Sequence, residues 1–168
     1  MILAEKNYST KAAELTALLS RALDGFLEFE RETDALLVCP FEEIEAHMNR
    51  RGALSAQIDG VYEELYRRCG TSVMGEAFRD AVANRSERES LPAAAQPVFD
   101  AAQKIFTVIH RILITDEQVN ARLNAEKQII LKKIRDFNTG AHAQAVKFLS
   151  GTSTISHKKY FPPKKTEI

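Results

Sequence analysis

From Tyr8 to Leu36 the chain repeats a core-type residue in alternating steps of four and three: Tyr8, Ala12, Leu15, Leu19, Ala22, Phe26, Phe29, Thr33 and Leu36. A mean step of about 3.5 residues matches the turn of a helix and not the two-residue alternation of a strand. Held over about four heptads, the repeat commits this stretch to one long helix whose stripe must lie against other helices. Leu18, Leu23, Leu27 and Leu37 widen the stripe to bundle width, while Glu14, Asp24, Glu28, Glu30, Glu32 and Asp34 mostly take the remaining positions.

A second helix is expected from Pro40 to Cys69. Proline suits a first helical position because its missing N–H costs nothing there. Glu42, Glu43 and Glu45 place negative charge at the positive end of the helix dipole. The same walk gives Ile44, Met48, Arg51, Ser55, Ile58, Tyr62, Leu65 and Cys69, flanked by Leu54 and Val61, and Gly70 is a natural stop. The short link between the two helices predicts an antiparallel hairpin.

Thr71 to Arg85 reads as a shorter helix with an apolar face of Val73, Met74, Ala77, Phe78, Ala81 and Val82, weakened by Gly75. Ser86 to Pro97 reads as a loop. The last long helix is expected from Pro97 to Asn138, with Gly140 as its terminator and with either a straight or a kinked course near Thr115. Its walk runs Ala102, Phe106, Ile109, Leu113, Asp116, Asn120, Leu123, Lys127, Ile130, Ile134 and Phe137. The polar middle has two readings: partial exposure, or an Asn120 that fixes register against a partner helix. Beyond Gly140, Ala143, Val146, Phe148 and Leu149 predict a short amphipathic segment. Residues 150–156 read as a flexible linker, and His157 to Lys165 as a basic tail with Tyr160 and Phe161 interleaved.

Composition agrees with helices and narrows function. Seven glycines and five prolines in 168 residues are too few for an all-β sandwich. Lys+Arg and Asp+Glu are 23 each, so the chain lacks the basic excess of most nucleic-acid-binding domains. The charge is uneven: residues 1–45 carry ten acidic and four basic side chains, and residues 141–168 five lysines and one glutamate. The tail could therefore contact the first helix or an acidic partner. Cys39 and Cys69 at opposite ends of one helix cannot meet in a disulfide, which fits a reducing compartment. The chain turns polar at Glu5-Lys6, and the greasiest stretch, Ile105 to Ile114, is broken by His110 and Arg111. A cytoplasmic protein without membrane insertion is expected.

Chemistry-bearing motifs are missing. Glu43 and His47 sit four apart with no second copy, so no carboxylate–histidine metal site is expected. The two cysteines lack zinc spacing, and neither a phosphate-binding loop nor a nucleophile elbow occurs. His110 is expected in the core or at its boundary, and His47, His142 and His157 at the surface. No enzyme, metal or cofactor is expected, and function is sought in a protein-binding surface.

The order of elements carries a resemblance. A long acidic-faced helix with Leu15-x-x-Leu18-Leu19 and Leu36-Leu37 is followed by a helix opening Phe41-Glu42-Glu43-Ile44. A long helix then carries Asp116-x-x-x-Asn120-x-x-Leu123 and Ile130-Leu131-Lys132-Lys133-Ile134, before Gly140-Ala141-His142-Ala143-Gln144 and Phe148. Over about residues 8–151 this resembles the FlgN family of flagellar type III export chaperones. The resemblance implies a cytoplasmic chaperone that holds the C-terminal helical segments of hook-associated (hook–filament junction) proteins and brings them to the export apparatus. It implies a client site toward the chaperone's C-terminal part, here Ile130, Ile134, Phe137, Val146, Phe148 and Leu149. An aromatic that contributes to export-gate contact in that family is usually Tyr; Phe148 occupies the matching place without the hydroxyl.

The expected architecture is all-α: an elongated antiparallel up-down helical bundle of three long helices plus one short helix, with a mobile C-terminal tail. Residues 1–140 form the bundle domain, and 141–168 the amphipathic segment and basic tail. For Ile130 and Ile134, bundle core is the competing assignment. The competing functional class is a self-associating coiled-coil or bundle protein, a homodimer for instance, without a client. A third class, nucleic-acid binding through Lys158, Lys159, Lys164 and Lys165, is disfavoured by the balanced charge.

Overall fold

The computed structural model describes the backbone of residues 2–151 and the side chains of residues 7–147. Four α-helices and two single-turn 3-10 segments, joined by short turns and irregular links, occur among the described residues, with no strand among them. The helices are α1 (Ile2–Ala35), α2 (Ile44–Cys69), α3 (Val73–Val82) and α4 (Gln96–Gly151). The all-α expectation holds, and the tail expected to be mobile lies, from residue 152 on, outside the described residues.

α1 buries the stripe its periodicity requires. Ala12, Leu15, Leu19, Ala22, Thr33 and Leu36 are buried, and Tyr8, Phe26 and Phe29 are half-buried. Thr33 is tolerated in this stripe because its hydroxyl donates to the Phe29 carbonyl at 2.8 Å, so no buried donor is orphaned. Followed from Glu14 to Glu32, α1 meets partners that run backwards along α2. Glu14 faces Arg68, Arg21 faces Glu64, Gly25 lies against Ile58, and Glu32 meets Arg50 and His47. Partners on α4 run forwards: Glu30 is held by Arg111, and the Leu36 carbonyl by Arg122.

One core cluster occupies the end of this arrangement nearest α3. Leu15, Leu18, Leu19 and Ala22 of α1 meet Leu65 and Cys69 of α2, Phe78 and Val82 of α3, and Val98, Ala102 and Ile105 of α4. The segment between α3 and α4, expected as a loop, contributes Leu91 and Ala95 to the same cluster. The two cysteines are not joined to each other, as expected, and both are buried.

Two stripes depart in part from the expected walk. On α2 six of its eight positions are buried or half-buried, but Met48 and Ser55 are exposed, and His47 and the flanking Leu54 turn inward beside them. On α4 the buried positions are Val98, Ala102, Ile105, Val108, Ile112 and Val119, so Phe106, Leu113 and Asn120 are exposed. The cause is degeneracy of the pattern: Ile105-Phe106 and Ile112-Leu113 are adjacent apolar pairs, and spacing alone does not choose between them. His110 is likewise exposed rather than in the core, and His47 is inward-facing rather than at the surface.

Gly75 has a role opposite to the one expected of it. It does not weaken α3; it permits the helix to start. A Cβ there would lie 2.5 Å from the Cys69 carbonyl oxygen and 2.8 Å from that of Gly70. The α2–α3 corner closes onto this position, with Gly70 at φ +76° and the Ser72 hydroxyl accepting from the Gly75 N–H at 3.1 Å.

α4 does not stop at Gly140 and passes Thr115 without a break in the helix. A single glycine costs about 1 kcal/mol in a helix interior. Here it is followed by the strong helix formers Ala141, Ala143, Gln144 and Ala145, and no proline comes before Pro162. The chain divides into two compact units, Met1–Arg122 and Leu123–Ile168.

Glycine replacements separate packing from propensity. Gly75→Ala should lower stability by about 1–3 kcal/mol through the clash with backbone. Gly60→Ala, on an exposed stretch of α2 with nothing within 4 Å of its added Cβ, should raise stability by about 0.5–1 kcal/mol. Thermal melts of the two variants should therefore shift in opposite directions.

Candidate functional site

In the unit Met1–Arg122, the most concentrated polar chemistry is structural. Arg51 on α2 donates to both Asp116 oxygens on α4, at 2.7 and 2.9 Å. Its guanidinium carbon stands 4.5 Å from the centroid of the Phe29 ring on α1. Both side chains are largely removed from solvent, 13 % and 29 % exposed. Nearby, Glu32 accepts from Arg50 at 2.8 Å and lies 2.7 Å from Nδ1 of His47. Past the end of α1, Arg122 donates to the carbonyls of Leu36 and Cys39, groups left over where the helix ends. Each charged group in this set is engaged by a neighbour, which describes a scaffold. Among the described residues no group of three or more His, Cys, Asp or Glu could hold a metal ion, and no helix is long and apolar enough to cross a membrane.

The unit Leu123–Ile168 has a different character. Its described part is the later portion of α4, and large apolar side chains stand in solvent along it. Ile134 is 51 % exposed, Phe137 76 % and Val146 50 %, with Ile129 and Leu131 also exposed. Ile130 is half-buried. Ile130, Ile134, Phe137 and Ala141 follow steps of four, three and four, so they share one helix face. Leu131 and Ile134 line a shallow open hollow with Arg135, Asn138 and His142.

The expected site residues distribute accordingly. Ile134 and Phe137 are together and exposed, and Ile130 adjoins them on the same face. Val146 is sixteen residues beyond Ile130, a turn of about 160° at 3.6 residues per turn, so it lies off that face. Phe148 and Leu149 continue the helix by backbone, but their side chains lie outside the described residues. Ile129 and Leu131 were missed; the unbroken run Ile129-Ile130-Leu131 is the signal, because three successive apolar residues on a helix cannot all face one partner.

No family profile, curated protein or solved structure matches the chain.

Two measurements probe the scaffold. Asp116→Ala leaves the Arg51 guanidinium largely buried without its carboxylate. It should cost about 2–3 kcal/mol, between an unsatisfied hydrogen bond and a fully buried broken pair, in denaturant titration. The second concerns acid. Hydrogen bonds from Arg111 hold the Glu30 carboxyl below its ordinary value of 4.5, against opposing burial. Burial pushes the Glu32 carboxyl up, but hydrogen bonds from His47 and Arg50 outweigh it and leave it lowered. A lowered carboxyl binds fewer protons folded than unfolded, so its stabilisation is complete above the ordinary value and lost as pH falls through the folded one. Stability should fall below about pH 4.5, and Glu30→Gln should flatten that fall in melts recorded between neutral and acid pH.

Proposed function

We propose that this protein is a cytoplasmic flagellar export chaperone, binding the C-terminal helical segment of hook-associated proteins before type III export. The observation that carries the reading is the apolar face of α4 on which Ile134 and Phe137 are exposed and Ile130 is half-buried. A client helix laid along such a face needs anchors three and four residues apart. Large apolar side chains standing side by side in solvent mark interaction sites more often than chance exposure. The scaffold chemistry of the first unit supports the same reading, because its charged groups are engaged with one another, and the sequence resemblance to the FlgN family supplies the client class. In this proposal α1, α2 and α4 form an antiparallel up-down bundle with α3 as the short crossover. The partner contacts running backwards along α2 and forwards along α4 favour that topology. The protein has no catalytic step. Binding is moderate in strength because a client terminus that orders on docking loses conformational entropy, and this keeps release at the export apparatus accessible.

The test is titration of the full chain with the C-terminal segment of a hook-associated protein from the same organism. Binding is expected. Ile134→Asp with Phe137→Asp should weaken it by at least about 2 kcal/mol, or roughly thirty-fold, while helicity and melting stay unchanged. Removal of residues 141–168 leaves Ile130, Ile134 and Phe137 in place, so it should weaken binding without abolishing it and spare the melt. Absence of binding, together with melting that depends on protein concentration, would replace this proposal with a self-associating bundle.

A further inference from the structure

We propose that the occupant of the α4 face is an acidic amphipathic helix of another polypeptide. The inference rests on the reading of that face as a helix-docking surface and adds the chemistry of the partner.

Charge decides between occupants. Residues 123–147 carry five basic side chains (Lys127, Lys132, Lys133, Arg135 and Lys147) and two acidic ones, Glu126 and Asp136, for a net charge of +3. By helical phase Lys127 and Lys133 stand on either side of the line through Ile130, Ile134 and Phe137, with Glu126 on the Lys133 side. Arg135 borders the hollow beside Ile134. The sequence stays basic beyond the helix: residues 152–168 hold four lysines and one glutamate, net +3. An apolar seam with cationic borders selects a helix with an apolar seam and anionic borders, as flanking charges do in paired helices.

The same charges disfavour a second copy. Two such segments laid together would each carry the net charge of +3, and they would repel. The acidic helix α1 does not solve this in trans, because its apolar stripe of Leu15, Leu19, Ala22 and Leu36 is already buried in its own unit and Glu14, Glu30 and Glu32 are paired with Arg68, with Arg111, and with Arg50 and His47. An anionic lipid surface also attracts a basic amphipathic helix, but such helices present a broad apolar face. Here Ile129 and Leu131 flank the line on either side, but Glu126, Lys127 and Lys133 fall within that arc and break it, so no broad uncharged face is presented, and Ala141 continues the line with a small side chain.

The test titrates the full chain with three synthetic peptides of about three heptads that share one leucine seam. They differ only in the bordering residues, which are all Glu, all Gln or all Lys. Vesicles containing phosphatidylserine form a fourth arm. The Glu peptide should bind about ten-fold more tightly than the Gln peptide, and the Lys peptide not measurably. The preference should collapse between about 0.1 M and 1 M salt, because these charges are exposed. Lys127→Glu with Lys133→Glu and Arg135→Glu should transfer the preference to the Lys peptide, and circular dichroism confirms that the variant remains helical. Equal binding of all three peptides, lost in Phe137→Asp, would overturn the acidic partner and leave helix docking standing. Binding of no peptide, whether or not vesicles bind or the chain self-associates, would overturn docking itself.

Discussion

Arg51 is the point at which three long helices are tied to one another. It sits on α2, grips Asp116 of α4 with two hydrogen bonds, and lays its guanidinium over Phe29 of α1. A charge so far removed from water is tolerable only with a partner of the opposite sign held in a fixed geometry. The requirement is directional in a way that leucine packing is not. Stripes of leucine, isoleucine and valine can slide by a turn at modest cost, whereas a two-pronged ion pair fits at one axial position. Such groups fix alignment at the expense of raw stability, and the apolar cluster near α3 supplies the latter.

Element type and α1 were legible from residue spacing because the signal was long and unambiguous. Every position of the Tyr8–Leu36 walk is buried or half-buried. The α4 stripe was not, because apolar pairs such as Ile105-Phe106 offer two neighbouring phases and only packing chooses between them. The Arg51–Asp116 pair was half legible. Both residues fell on apolar walks of their own helices, where a charge demands an explanation, yet one chain gives no means of seeing that each explains the other. Gly75 shows the opposite failure. Its low helix propensity was read locally, while the reason for it, two carbonyl oxygens within 3 Å of where a methyl would be, is tertiary.

The candidate face was legible in part for a related reason. Ile130, Ile134 and Phe137 share a periodicity with core positions, and periodicity does not tell a stripe that is covered from one that is bare. Exposure makes that distinction. The apolar pattern of α4 outlasts the buried positions, the last of which among the described residues is Val119. Gly140 was misread because a glycine terminates a helix only where the following residues agree, and the alanines after it do not.

Of the two thiols of this chain, Cys69 closes α2 and Cys39 lies in the link between α1 and α2, each shielded from solvent. Cys69 is fully buried, and that burial, only partly offset by Arg79 and Lys11, pushes its thiol above the ordinary value, away from the nucleophilic thiolate. An alkylating reagent can therefore attack it only when the corner around Gly70 breathes. The molecule carries its own pair of gauges, one for how often the end of α2 loosens and one for the link between α1 and α2, and a pulse of iodoacetamide reads them without any substitution.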